Sequence, residues 1–465
     1  MAHRRRRDDD RPATISQWSS PWIFILAASG AAIGLKNVWQ FPFLARQYGG
    51  GAFVIVYVLC ALLVVLPLLI AEILLGRYGR QSPVNSMRLL AARARHYRAW
   101  GYIGLIGMLT GFLILSYLSV VAGWIMAYAF RMAVGTLEGL TADGVRSVFT
   151  VFVADPEKQL FWQSLFMLMT MVVIARGVKD GLEPVMRYAV PLLFALMLLL
   201  LVYAAVSAAF SQAWQQLLHP QFSKLDRVGM LTAMGHAFFS LGLGVGTMLM
   251  YGAYLQNDAD IPKLAFAVVA IDTLAGIVGG LVVLAVLLSS ELQPLSRPEL
   301  LFQALPLGFD QLPWGRLAGS LFFVALVLAS WFSGIGLIEP LVAWITEFGR
   351  LSRTMAAFLC GAGAWLLGVV CVLSFNYWSF SFRFLGALKR LGAFDLLQII
   401  TANLLLPISG MLISLYAGWI VERKLTLAAF TQPSSCVHDL WLWSVRITTP
   451  LLIFILLLTV HKLFL

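Results

Sequence analysis

Hydrophobic positions run along this chain in long blocks separated by short polar stretches. Eleven blocks approach or exceed the roughly 20 apolar residues needed to cross a bilayer as a helix: about 20–44, 51–79, 100–134, 158–178, 184–211, 226–256, 262–290, 313–349, 353–374, 391–421 and 440–464. Two of them interrupt their own pattern. The first contains "AAIGLKNVWQFP" (Ala31 to Pro42), which sets Gly, Lys, Asn, Gln and Pro inside an apolar run. The sixth contains "SLGLGVG" (Ser240 to Gly246), with glycine at three alternating positions. Glycine weakens a helix, and backbone freed from a helix at membrane depth is tolerated only where it lines a cavity or is buried in protein. For either break alone, close helix packing on small residues is an equal reading. The matched pair, five spans apart, favours two inverted halves around a central binding site, where freed carbonyls can hold a cation and half-helix N-termini an anion.

Composition sharpens this into a class. Of 465 residues, 60% are hydrophobic and 12% charged, and the mean hydropathy is +0.85, a balance that a water-soluble globule cannot bury. The expected fold is an all-α membrane protein of about eleven transmembrane helices. It would comprise a 5+5 inverted repeat with broken first and sixth helices, plus one extra helix. The units read as a charged cytoplasmic tail over 1–19, a first repeat over 20–211, a second over 212–421, and a loop with the last helix over 422–465. The net charge of +11 does not point to nucleic acid, because the basic residues fall in short loops between apolar blocks, the pattern that sets membrane orientation. Arg4 to Arg7, the arginines from Arg77 to Arg98, and Arg176, Lys179 and Arg187 all fall on one side. The N-terminus is therefore expected in the cytoplasm and the protein in the inner membrane, as a monomer or homodimer. The first block is too long and too polar in its flanks for a cleaved leader. Four cysteines (Cys60, Cys360, Cys371, Cys436) show no metal or disulfide spacing, and no nucleophile elbow, phosphate loop or zinc motif is present. An enzyme is not expected.

The order of the motifs carries a resemblance. "SQWSSPWIFILAASGAAIGLKNVWQFPFLARQYGGGAFVIVYVLCALLVVLPLLIAEILLGRYGR", then "ILSYLSVVAGW", "AMGHAFFSLGLGVGTMLMYGAYL", "AIDTLAGIVGGL", "SGIGLIEPLVAWITE" and "FDLLQIITANLLLP" resemble the neurotransmitter:sodium symporter family, with its leucine-transporter-like fold, over nearly the whole chain. The resemblance implies a first sodium site at Ala32, Asn37, Ser240 and Asp272. It implies a second at Gly30, Ile33, Ala329 and Ser333, with Phe332 where the pattern carries a Thr or Asp. Phenylalanine offers no oxygen, so the second site is altered. The implied solute pocket comprises Ala32, Gly34, Leu35, Lys36, Ile114 and Leu118, and from the later spans Phe238, Phe239, Ser240, Gly242, Val245, Ser333 and Leu337. Leu118 stands where the pattern has a tyrosine, directly after Tyr117, and Lys36 stands where it has a small residue. The implied gates are Gln40 with Gln398 on the outer side, closed over by Phe239, and Trp18 with Glu347 on the inner side, where Arg11 would replace an arginine that is Ile15 here. Shifting the tenth-span alignment brings in Asp395 instead of Gln398. Chloride is left open: Tyr57 matches its pattern, whereas His236 and Gly276 do not. His236 reads equally as a structural residue bonded to Glu72 or to backbone.

Lys36 poses the sharpest question, because a buried ammonium must find a partner or lose its proton. Pairing with Asp272 as a fixed cation, meeting an anionic group of the solute, and snorkelling to a hydrated vestibule are all open. The implied activity is secondary active transport of a small amino-acid-like or related organic solute by alternating access, sodium-coupled. The alternative is a proton-coupled or non-transporting solute sensor on the same fold.

Overall fold

The computed structural model describes residues 16–289, 298–349, 351–378, 380–384, 387–430 and 435–463. The main helices are α1 (Pro21–Ala32), α2 (Leu35–Gln47), α3 (Gly51–Gly79), α4 (Gly101–Val134), α5 (Pro156–Ala175), α6 (Val178–Ala205), α7 (Arg227–Ser240), α8 (Thr247–Ala253), α9 (Ile261–Ser289), α10 (Gly315–Glu347), α11 (Arg353–Ser374), α12 (Ala393–Ile420) and α13 (Cys436–Thr459). Among the described residues, nine continuous helices are long and apolar enough to cross a membrane, and α1 with α2 form a further crossing bent by 59°. The sixth block is split into α7 and α8, each too short to qualify by itself. The tail segment 1–15, with Arg11 and Ile15, lies outside the described residues.

Both breaks have local causes. Ser20 caps α1, accepting from the Ile23 N–H, and Pro21 occupies the first turn, where no amide donor is needed. The helix stops at Ala32 because Ile33 and Gly34 adopt extended backbone, and α2 restarts at Leu35 in a new direction. Between α7 and α8, Gly242, Gly244 and Gly246 take φ of +58°, +90° and +84°, a left-handed region that costs any residue with a Cβ. The alternating glycines thus encode a turn that no other residue builds without strain. The turn is held on both sides: the Gly244 N–H donates to Glu72 of α3 at 2.6 Å, and the Ser409 hydroxyl donates to the Gly244 carbonyl at 2.6 Å.

The connections hold more structure than their loop-like length suggests. A helix capped by Thr141 spans Ala142–Val153, another spans Pro298–Asp310, and 375–390 contributes to an antiparallel hairpin of Phe380–Phe384 with Ala387–Leu391. In the interior, α4 packs along α10 and α8 against α3. A Cβ on Gly111 would stand 2.8 Å from the Leu337 carbonyl, so the α4–α10 contact depends on a missing side chain.

Candidate functional site

A cavity of about 520 Å³ opens between the two breaks, within the usual range for small-molecule sites. Its wall includes Ala32, Gly34, Leu35, Lys36 and Asn37 from the first break, and Phe239, Ser240, Gly242 and Val245 from the sixth. It also includes Ile114 and Leu118 of α4 and Ser333 and Leu337 of α10. Phe238 is the exception. Its buried ring lies against Gly410 of α12, where a Cβ would meet it at 2.8 Å, because residues adjacent on a helix point about 100° apart and Phe239 takes the cavity side. The sequence reading missed Trp39, Trp124, Phe394 and Ala402, which also line the space.

Behind Asn37 and Ser240 of the cavity wall stands a buried carboxylate. Asp272 of α9 is fully buried and receives Asn37 Nδ2 at 2.5 Å, Ser240 Oγ at 2.5 Å and Tyr57 Oη at 3.1 Å. Ser240 Oγ also lies 2.9 Å from Asn37 Oδ1. A hydroxyl carries one hydrogen and can serve only one of these acceptors at a time. The cluster gathers hard oxygens of a kind that suit an alkali cation, around a negative charge that neutral donors solvate without cancelling. Among the described residues no group of three or more His, Cys, Asp or Glu side chains gathers for a metal.

Lys36 does not complete this cluster. Its ammonium lies over the Phe239 ring, 5.3 Å from the centroid, a contact worth about 0.5–2 kcal/mol depending on desolvation. No ion pair joins it to Asp272. Asp272, one of the three partners left open for Lys36 from the sequence, is held by Asn37, Ser240 and Tyr57, so the Lys36–Asp272 pairing is not what the fold contains.

A family model described as the sodium:neurotransmitter symporter family matches residues 15–139 and 156–461. The chain belongs to the sodium:neurotransmitter symporter family. It is 34% identical over 445 residues to an uncharacterized sodium-dependent transporter, YhdH, of Bacillus subtilis, covering 95% of this chain and 97% of that one. It is 24% identical over 449 residues to an uncharacterized sodium-dependent transporter of Haemophilus influenzae. The crystal structure of MhsT in complex with L-phenylalanine superposes with a TM-score of 0.85 at 35% identity, covering 96% of this chain and 99% of that one. The molecule is therefore a multi-pass membrane transporter of the leucine-transporter-like fold that couples solute movement to sodium, and it is not an enzyme.

Against that family pattern, the region of the second sodium site is filled by a ring. Phe332 is fully buried, and its ring atoms lie 3.4 Å from where a Cβ on Gly30 would stand. The Ser333 hydroxyl lies 3.1 Å from the carbonyls of both Ala31 and Ala329 and donates to one at a time, so it can link α1 to α10. Tyr117, one position before Leu118, turns its hydroxyl toward Thr401 of α12 at 3.4 Å and packs edge-on against Phe394. Tyr117 and Leu118 both line the cavity, so a hydroxyl stands one position away from where the symporter pattern has its tyrosine.

Gln40, Gln398 and Asp395 all line the cavity at its α12 side. No direct hydrogen bond joins Gln40 to Gln398, and Asp395 caps α12 by accepting from the Gly392 N–H at 3.1 Å. The opposite end is sealed. Trp18 is 1% exposed and donates through its indole to the Tyr251 carbonyl at 3.1 Å, while its backbone N–H reaches the Tyr254 carbonyl at 2.8 Å. Glu347 is held by Ser82 and Asn85, with Asn85 at 2.7 Å. A tighter lock at this end, Glu339 with Arg353 and Tyr254, was missed from the sequence, although an acid within an apolar span marks itself for attention. His236 is not bonded to Glu72, whose carboxylate accepts from Gly244. Its ring lies 5.7 Å from Phe41 and 5.9 Å from Tyr57, centroid to centroid.

Proposed function

We propose that this symporter carries a small amino-acid-like solute by alternating access, with one sodium ion held at Asp272, Asn37, Ser240 and the Ala32 carbonyl. The observation that carries the reading is the junction of the Asp272 cluster with the cavity: Ser240 and Asn37 belong to both, so ion and solute would share a wall and each would order the other's ligands. The bound L-phenylalanine of the similar MhsT structure supports an amino acid or close analogue as cargo. The sealed Trp18 end fits a state closed toward the cytoplasm, with the N-terminus inside the cell and the protein in the inner membrane. The halves 20–211 and 212–421 would move against one another about the breaks, and the ring of Phe332 supports coupling to one sodium rather than two.

The packed Phe332 also favours a second reading, a solute sensor that binds without cycling. Counterflow of labelled amino acids in proteoliposomes separates the two. Exchange that requires sodium, with a Hill coefficient near 1 for the ion, is the expected result. Sodium-dependent binding without exchange would establish the sensor.

A further inference from the structure

Within the cavity, two charged side chains contribute to the described wall, Lys36 and Asp395. Asp395 lies in the first turn of α12, where the helix dipole and the Gly392 N–H favour its charge, and it forms no ion pair with Lys36. Lys36 has no carboxylate within ion-pair distance among the described residues, and its ammonium rests on the face of Phe239. Asp272 does not serve it: no ion pair joins the two, and the Asp272 oxygens face Asn37, Ser240 and Tyr57. A sodium ion beside Asp272 would cancel that charge and leave Lys36 as the uncompensated one.

A zwitterionic solute brings no net charge to balance it. Its single carboxylate also has another place to go: α2 begins at Leu35 on the cavity wall with no side-chain cap, and although the Asn37 N–H turns back to the Gly34 carbonyl at 3.2 Å, the end of the helix and its dipole favour an anion. A solute with two anionic groups satisfies both elements, one group at the α2 N-terminus and one on the ammonium. On the neighbouring α4 surface Leu118 is apolar, and Tyr117 accepts from Thr401 at 3.4 Å, so that surface offers at most one neutral hydroxyl donor and no charge.

We propose that Lys36 makes this symporter selective for solutes of net negative charge, of the dicarboxylic amino-acid or short dicarboxylate class, its ammonium pairing with the second carboxylate. This rests on reading the cavity as the transport site. A buried ammonium facing a carboxylate forms a charge-assisted hydrogen bond, and a solute lacking that group leaves the ammonium with only the Phe239 ring.

The test uses the purified full-length protein in sodium buffer, with L-glutamate, L-aspartate and succinate as acidic probes and L-phenylalanine and L-leucine as neutral ones. Binding is read by thermal shift and by radioligand titration. The acidic probes are expected to bind at least tenfold more tightly than the neutral ones. Lys36→Met should weaken the acidic probes by tenfold or more while changing the neutral ones by less than about twofold, and Lys36→Arg should recover most of the loss. A sodium-induced thermal shift retained in Lys36→Met shows that the variant is folded. Tighter binding of neutral probes by the unmodified protein, no binding of any acidic probe, or equal loss of both classes in Lys36→Met would overturn the proposal. Sodium-driven exchange of neutral amino acids alone would do so while leaving transport standing. Lys36-dependent binding of acids without exchange would keep the proposal and remove transport.

Discussion

Glu339 and Asp272 are both completely buried carboxylates, and they differ in how their charge is met. Glu339 of α10 has a resident cation: Arg353 Nη2 lies 2.7 and 2.5 Å from its oxygens, and the Tyr254 hydroxyl adds a bond at 2.5 Å. Asp272 of α9 has three neutral donors and no cation within the fold. A buried charge is costly unless paired, so the two sites meet the same cost by different means. Glu339 is neutralised permanently and belongs to the sealed Trp18 end. Asp272 stands directly behind Asn37 and Ser240 of the cavity wall, where a mobile ion could arrive and leave. A fixed partner makes a lock, and a missing partner makes a coupling site.

The largest effect should come from removing the fixed partner. Arg353→Met leaves Glu339 buried without its cation, which typically costs about 3–5 kcal/mol. The partial exposure of Arg353 places the loss toward the lower end of that range. Melting followed in detergent should show a large fall in apparent Tm, equal with sodium or potassium in the buffer. Combining it with Glu339→Gln should restore most of the loss, because no unpaired charge remains. A fall seen in only one of the two buffers would contradict the assignment of Glu339 as a permanent lock.

The mobile site should respond in the opposite manner. Sodium at a hundredfold excess over its dissociation constant stabilises the folded state by about 2.7 kcal/mol through mass action, so the unmodified protein should melt higher in sodium than in potassium. Asp272→Asn removes the charge that draws the ion and should abolish that difference, with a limited loss in potassium because the amide oxygen can keep the Asn37 donor while the Ser240 and Tyr57 hydroxyls turn to accept from its NH2. A sodium shift that survives the substitution would place the ion elsewhere.

How much of this contrast was legible beforehand depends on whether the signal was local. The paired breaks were readable because glycines at 242, 244 and 246 spell a left-handed turn in consecutive residues, and Asn37, Ser240 and Asp272 were readable through their motifs. Glu339 and Arg353 were not paired in advance, since their contact depends on how α11 turns back after α10. Facing errors arose where neighbouring residues compete for one side. Phe238 and Phe239 differ by a rotation that periodicity in an almost wholly apolar helix cannot assign, whereas Leu118 lines the cavity as expected. In α12 the difficulty is physical: residues Thr401–Leu405 form a π-helical turn, which advances the phase of the helix and helps bring Ala402 and Leu406 to the cavity beside Gln398.

The smallest and sharpest test removes one neutral hydroxyl from each carboxylate. Ser240→Ala and Tyr254→Phe each delete a single hydrogen bond, worth about 1 kcal/mol in a buried setting, so by stability alone they should look alike. Their linkage to sodium should not. Tyr254 serves a carboxylate whose charge is already balanced, and its loss should lower the apparent Tm by the same amount in sodium and in potassium. Ser240 stands between Asp272 and Asn37, where its oxygen would be a ligand for the ion, so its loss should shift the sodium midpoint of stabilisation upward by about tenfold, as one ligand worth about 1.4 kcal/mol would require. Titrating sodium against apparent Tm for both variants distinguishes them. Equal sodium midpoints would mean that the Asp272 cluster is a second lock, and the contrast between the two buried acids would collapse.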